Sequence, residues 1–333
     1  MKTSRNKLNS MTSDASDISK PWDKDNQAWW DWYVGLADNN IKNDPIIAAE
    51  PLPEVTIPSD DEVLSELAAT YPLTNEQITF FKKNGFIKLK KIFSPGVVLK
   101  LRSELINLLK KEFNVDPDKE AHDRFLSLEM MWTKNKILRA YVLSPRLGQI
   151  SADLLGVPAV RLYHDNVLAK QAGCGRTPWH FDDHHFPLDT NDVVTAWVPA
   201  QPTPIEMGPL SFAYPLDVHK LVNAVTFEKT GIGYDRGVSE VFKKNGVAVN
   251  ETPFELGEVS FHHNLNFHTA SRNRTSRSRV ALANTYYRDG ARVINSPTMV
   301  SGDWQKFMPN IKPGDVAASP LNPICWPLND KQK

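Results

Sequence analysis

The densest run of metal- and proton-handling side chains in the chain is residues 173–187, Gly-Cys-Gly-Arg-Thr-Pro-Trp-His-Phe-Asp-Asp-His-His-Phe-Pro. His180, Asp182, Asp183, His184 and His185 follow a loop punctuated by glycine and proline. His180 and Asp182 stand two apart, and alternate side chains of an extended strand share a face, so an imidazole and a carboxylate there can bind one metal. Such a pair alone is weak, and a solvated turn is its ordinary reading. A strand-like run far downstream, Gly257-Glu-Val-Ser-Phe-His-His-Asn-Leu-Asn-Phe-His268, offers His268 as a third ligand. Two histidines and one carboxylate on one side of a metal, with the other side open, form the facial triad of non-haem Fe(II) oxygenases.

The remaining candidates need weighing against that triad. Arg279 opens the strand-like Arg-Val-Ala-Leu, and a buried guanidinium near a metal can grip a carboxylate through two parallel hydrogen bonds. The distal carboxylate of 2-oxoglutarate is such a group. Arg277 is the rival anchor, since alternation places both arginines on one side and parity does not choose between them. Trp197, within the run 193–198, can wall the pocket. His184 and His185 suit places beside the metal or the substrate; a helical zinc pair of His180 and His184 is disfavoured by the bracketing Pro178 and Pro187. Asp183 should point away if Asp182 points in, and His262 and His263 read as ordinary sheet residues.

The elements that must position these groups lie mostly after residue 160. Short β-like runs at 160–169, 193–198, 210–214, 256–263 and 279–287, joined by Gly/Pro-rich connections, predict a mainly β fold with flanking helices, a sandwich or double-sheet jelly roll. Residues 216–253 form a long insertion of mixed character, expected to act as a variable lid or substrate loop. Upstream, Thr74-Asn-Glu-Gln77 is a capping box opening a helix that stops at Gly85. Phe86–Ile92 reads as a strand. Ser94-Pro95 starts a long helix with Val97, Val98, Leu101, Leu105, Leu108 and Leu109 on one stripe, and a further helix is expected over Leu126–Leu143. Residues 1–22 read as a disordered tail. Residues 23–60 read as a short helix carrying Trp29, Trp30 and Trp32, then an extended proline-rich linker, both packing on the core domain of 61–333. The tryptophan cluster could also mediate a homo-oligomer contact.

Lys+Arg and Asp+Glu balance at 39 each, which gives no basic face for nucleic acid or an acidic membrane. No apolar run approaches the ~20 residues of a membrane span, and no secretory h-region follows Met1. Two cysteines, Cys174 and Cys325, are too few for a disulfide framework and suit a reducing compartment. A cytoplasmic enzyme with a small-molecule substrate is the expectation.

Read together, the motifs resemble the phytanoyl-CoA dioxygenase family of Fe(II)/2-oxoglutarate-dependent oxygenases over about Leu73 to Pro327. The resemblance rests on Leu73-Thr-Asn-Glu-Gln77 through Gly85-Phe86, Tyr163-His-Asp-Asn166, Thr177-Pro-Trp-His-Phe-Asp182, Thr195-Ala-Trp197, Met207-Gly-Pro-Leu210, Phe261-His-His263 and Arg279-Val-Ala-Leu282. It implies a double-stranded β-helix, iron held by His180, Asp182 and His268, and 2-oxoglutarate and O2 as cosubstrates. Arg279 would bind the distal carboxylate, with Trp197 and Lys170 lining the same pocket. Hydroxylation of an unactivated C–H bond, with release of succinate and CO2, is the implied reaction. Retention of Asp182 favours it over halogenation, in which related enzymes carry Gly or Ala there. The alternatives are a non-oxidative jelly-roll isomerase or hydrolase and a silent binding protein of the same fold. Two departures stand out. Ala270 replaces the serine often found two after the distal histidine, and Pro215-Leu-Asp-Val-His219 replaces the usual Pro-Gly-Ser-His turn.

Overall fold

Alternation decides the architecture. In Arg279–Arg288, Val280, Leu282 and Tyr286 join one large apolar core, while Arg279, Ala283 and Thr285 face a cavity. The same two-residue period runs through Val193–Pro199, whose Val194, Ala196 and Val198 oppose Thr195 and Trp197, and through Val259–His263, whose Val259 and Phe261 oppose His262. A sheet built of such strands has a helix-covered face and a cavity face.

The computed structural model describes residues 45–119, 123–225, 233–297 and 303–327. The tryptophan-rich stretch and the tail before it lie outside the described residues. Strands β1 (Phe86–Leu89), β2 (Phe125–Glu129), β3 (Val160–Lys170), β5 (Val193–Pro199), β8 (Val259–His263), β10 (Arg279–Arg288) and β11 (Ile324–Trp326) form a sheet in the order β1-β8-β5-β10-β3-β11, with β2 also on β3. Strands β4 (Thr177–His180), β6 (Leu210–Tyr214), β7 (Ala248–Asn250) and β9 (His268–Ala270) form a smaller sheet, β4-β9-β6-β7. All pairings among these strands are antiparallel. The two sheets enclose the cavity, as in a double-stranded β-helix jelly roll.

Helices α1 (Asp60–Ala68), α2 (Asn75–Asn84), α3 (Pro95–Phe113), α4 (Lys136–Val142) and α5 (Pro145–Leu155) contribute the other half of the large core. The capping box is made: Thr74 Oγ1 accepts from Gln77 N, and Gln77 Oε1 accepts from Thr74 N at 2.8 Å. Gly85 ends that helix in the left-handed region, at φ 74°. The stripe expected on α3 is buried throughout.

One expectation fails. Leu126–Leu143 is not one helix: residues 125–129 form β2, a left-handed Met130 turns the chain into a short 3-10 turn at Met131–Thr133, and α-helix begins only at Lys136. Leu, Ser, Glu and Met tolerate helix, but β3 offers a full antiparallel partner from Phe125↔Lys170 to Glu129↔Asn166. Tertiary pairing overrides that weak local preference.

The insertion of 216–253 contains a 3-10 turn, helix α6 (Gly233–Asn245) and β7. Tyr234, Val238 and Phe242 pack with Phe267, Trp179 and Phe181 on the outside of the smaller sheet. None of its described residues lines the cavity between the sheets. Residues 47–50 run alongside the 274–277 turn, with Ile47 N bonded to Arg274 O at 2.7 Å and Ser276 N to Ile47 O at 2.8 Å. No helix among the described residues is long and apolar enough to cross a membrane.

Candidate metal centre and cavity

His180 and His268 face each other as a cross-strand pair of β4 and β9, their ring centroids 4.1 Å apart. Asp182 reaches them by a different route from strand alternation. Strand β4 ends at His180, and Asp182 sits in a helical turn (φ −89°, ψ −12°) whose N–H donates to Asn264 O at 2.9 Å. A bend, not a continued strand, brings the carboxylate in. Its Oδ1 lies 3.9 Å from His180 Nε2 and 3.7 Å from His268 Nε2. One ligand atom from each residue falls within 4.8 Å of the others.

The second ring nitrogens fix the tautomers. His180 Nδ1 is 2.8 Å from Pro178 O and His268 Nδ1 3.0 Å from Asn266 O. A carbonyl only accepts, so each Nδ1 carries the proton and each Nε2 presents a lone pair. Burial pushes both imidazoles below their ordinary pKa. Burial would raise the Asp182 carboxyl, but the imidazoles of His268 and His262 outweigh it and hold it below the usual carboxylate range. Near neutral pH the set is two neutral imidazoles and one carboxylate, the protonation state that metal binding requires.

Strand β4 is held from behind. Arg176 makes a two-pronged ion pair with Asp235 of α6, and Asp235 Oδ1 also accepts from Trp179 N at 2.7 Å. The Trp179 ring packs edge-on against Phe242, centroids 5.3 Å apart. The residue before the first histidine is thus fastened by backbone and side chain.

The metal cluster lines a cavity of about 130 Å³ that Arg279 also lines. Arg279 is 1% exposed, and Nη1 donates to Gly208 O. Nε has no partner among the described residues, and the guanidinium carbon sits 5.3 Å from the Trp197 ring. Burial, with no compensating carboxylate among the described residues, lowers its pKa to about 10. The rival separates cleanly. Arg277 precedes the strand, and its Nη1 donates outward to Glu50 O at 2.6 Å. Lys170 is fully buried but does not line the cavity; Nζ donates to Ala270 O at 3.2 Å and Ser271 O at 2.9 Å, tying the two sheets together.

Other groups lie in or beside the cavity. His262, read from the sequence as a sheet residue, lies in β8 but points inward, with Nε2 3.4 Å from Asp182 Oδ2. Phe261 is core, so parity along β8 was the available signal. Thr177 lines the cavity opposite Ala270, and its Oγ1 has no partner among the described residues. Ser271 does not substitute for the missing serine, because its hydroxyl bonds Glu251 at 2.6 Å. His185 lines the cavity, whereas the His184 ring packs on Phe181. Asp183 turns away and accepts from Asn264 Nδ2 at 2.8 Å.

A sequence model of the phytanoyl-CoA dioxygenase family matches residues 81–281. The peroxisomal phytanoyl-CoA dioxygenase of Mus musculus is 24% identical over 267 residues, 72% of this chain and 76% of its own. That of Bos taurus is 24% identical over 251 residues, 65% and 71% of the two chains. Among solved structures, the non-haem α-ketoglutarate-dependent carbocyclase SnoK from nogalamycin biosynthesis superposes with a TM-score of 0.61 at 23% identity, over 76% of this chain and 96% of its own. EctD from S. alaskensis, with 2-oxoglutarate and 5-hydroxyectoine, gives 0.58 at 15% identity, over 86% and 98%. The structural likenesses are likenesses of fold.

Proposed function

This chain belongs to the phytanoyl-CoA dioxygenase family, and we propose on that premise that it is an Fe(II)- and 2-oxoglutarate-dependent dioxygenase hydroxylating a small or medium metabolite. The observation that carries the reading is the pairing of two features in one cavity. At one place two neutral Nε2 atoms and Asp182 Oδ1 converge; elsewhere a buried guanidinium lacks a carboxylate partner among the described residues.

Both features fit the groups the family uses. His180, Asp182 and His268 would hold iron, the donor set that suits non-haem Fe(II). The orphaned Nε of Arg279 fits the distal carboxylate of 2-oxoglutarate, with the Trp197 ring beneath it and the unpartnered Thr177 hydroxyl and Trp197 Nε1 on the same cavity. Bound there, iron with 2-oxoglutarate and O2 supplies oxidation of an unactivated C–H bond, with succinate and CO2 released.

The residues themselves position and exclude. Pro178 O and Asn266 O orient the two imidazoles, and Asn264 O fixes the turn that carries Asp182. Trp197 and Leu168 narrow the pocket, and Phe125, Phe186 and Phe307 line it with apolar surface, limiting water around a reactive oxidant. Burial drops His164 and His185 to pKa values of about 4, so these lining groups stay neutral near pH 7. Arg279 is the sole lysine or arginine among the described lining residues. A coenzyme A thioester would want several cations at its phosphates, which favours a compact metabolite instead.

Anaerobic titration with Fe(II) and then 2-oxoglutarate tests the reading. Wild-type protein is expected to develop a weak visible charge-transfer band that Asp182→Ala abolishes. Folded wild-type protein without the band would overturn it.

A further inference from the structure

We infer that His262 is a positioning residue of the metal centre, donating an Nε2–H hydrogen bond to Oδ2 of Asp182 so that Oδ1 alone is offered to the metal. The inference rests on the metal-site reading above and adds a third histidine to it, one that holds the ligand and not the ion.

Oδ1 is the oxygen nearest both ligand imidazoles, 3.9 Å from His180 Nε2 and 3.7 Å from His268 Nε2. Oδ2 faces His262 Nε2 at 3.4 Å. Two oxygens of one carboxylate therefore have different neighbours, and His262 does not belong to the converging donor set. A lone pair on His262 Nε2 would repel the ionised carboxylate, whereas a proton there makes a charge-assisted hydrogen bond. The neutral ring suffices.

His262 is placed to do this rigidly. It is 3% exposed, with Thr195 and Phe86 as its strand neighbours, and its ring lies 4.4 Å from that of His268 and 5.7 Å from that of Phe212. Its Nδ1 has no hydrogen-bond partner among the described residues, so Asp182 is its one polar commitment there. A residue serving only to fill this buried place on β8 could come from the aliphatic or aromatic set, whereas an imidazole there sets a donor against the Asp182 carboxylate.

A carboxylate released from such a bond can rotate and bind through both oxygens, occupying a position that a chelating cosubstrate and O2 need. The test uses Co(II), whose visible d–d spectrum reports coordination number, together with metal affinity. His262→Phe keeps the shape and removes the donor, His262→Leu is the second non-donor, and His262→Gln restores an N–H of similar reach. Thermal melts of the metal-free proteins identify which variants fold. The folded non-donor variants are expected to bind Co(II) roughly 10–100-fold more weakly, with a weaker, shifted d–d envelope, and His262→Gln to recover both towards wild type. Wild-type affinity and spectrum in a folded non-donor variant would overturn the inference. So would failure of His262→Gln to recover either readout. Absence of Co(II) binding by the wild type would overturn the metal-site reading itself, and this inference with it.

Discussion

Replacing Arg279 with methionine should move two properties in opposite directions. The guanidinium is 1% exposed, and burial lowers its pKa from the free value to about 10. A base whose folded pKa lies below its unfolded one destabilises the fold, fully so at any pH below the folded value, here about 10. A displacement of that size corresponds to about 3 kcal/mol. The bond to Gly208 O and the contact with the Trp197 ring return about 1 kcal/mol each. Arg279→Met of similar length should therefore stabilise the metal-free protein by about 1 kcal/mol, raising Tm by about 1–2 °C. On the proposed reading the same change removes a two-pronged grip on the distal carboxylate of 2-oxoglutarate, worth about 3–5 kcal/mol, so 2-oxoglutarate should bind on the order of 10²–10⁴-fold more weakly. Scanning calorimetry of the metal-free protein and anaerobic calorimetric titration of 2-oxoglutarate into the metal-loaded protein give the two numbers. Arg277→Ala should change neither appreciably. A large affinity loss in Arg277→Ala, or a Tm drop of several degrees in Arg279→Met with affinity intact, would refute the assignment.

Two further outcomes follow from the cavity wall and from a buried acid. Thr177 lies across from Ala270, at the end of the smaller sheet where Gly208 leads into β6. Thr177→Val should raise the 2-oxoglutarate requirement about tenfold, the worth of one hydrogen bond to a charged group, with Thr177→Ser near wild type in the same titration. Burial pushes the Asp165 carboxyl up to about 7, although Met131 and Trp132 N–H groups donate to it. An acid whose folded pKa exceeds its unfolded 3.8 binds more protons when folded, so its contribution to stability falls as pH rises from about 4 to 7. Asp165→Asn should gain in Tm relative to wild type between pH 5 and pH 8; parallel melting curves across that range would rule the effect out.

Much of the chemistry was legible in the sequence because ligand types are few and strand parity is strict. The alternation along 279–287 and 193–198 correctly separates core from cavity, and the same rule would have placed His262 inward opposite Phe261. Parity failed at Arg277, which precedes the strand, so no alternation constrains it. It also mis-described Asp182, which shares a site with His180 through a turn closed on Asn264 O. That closure depends on a residue more than eighty positions away, which no local pattern encodes. Residues 125–129 were lost for the same kind of reason: their partner β3 lies beyond two intervening helices. Lys170 shows the converse limit, since its sequence position is compatible with a pocket while the carbonyls of Ala270 and Ser271 claim its ammonium.

The clasp between Arg176 and Asp235 has a consequence for how such proteins can be recombined. Helix α6 belongs to the stretch a designer would exchange to alter specificity, yet its Asp235 fastens the backbone next to His180. The unit of exchange is thus not the insertion alone. A chimera that imports a foreign 216–253 segment without a matching pair at 176 and 235 would unfasten one end of the ligand strand. Transplanting both partners together leaves that strand anchored, and the outer face of the helix is then free to diverge.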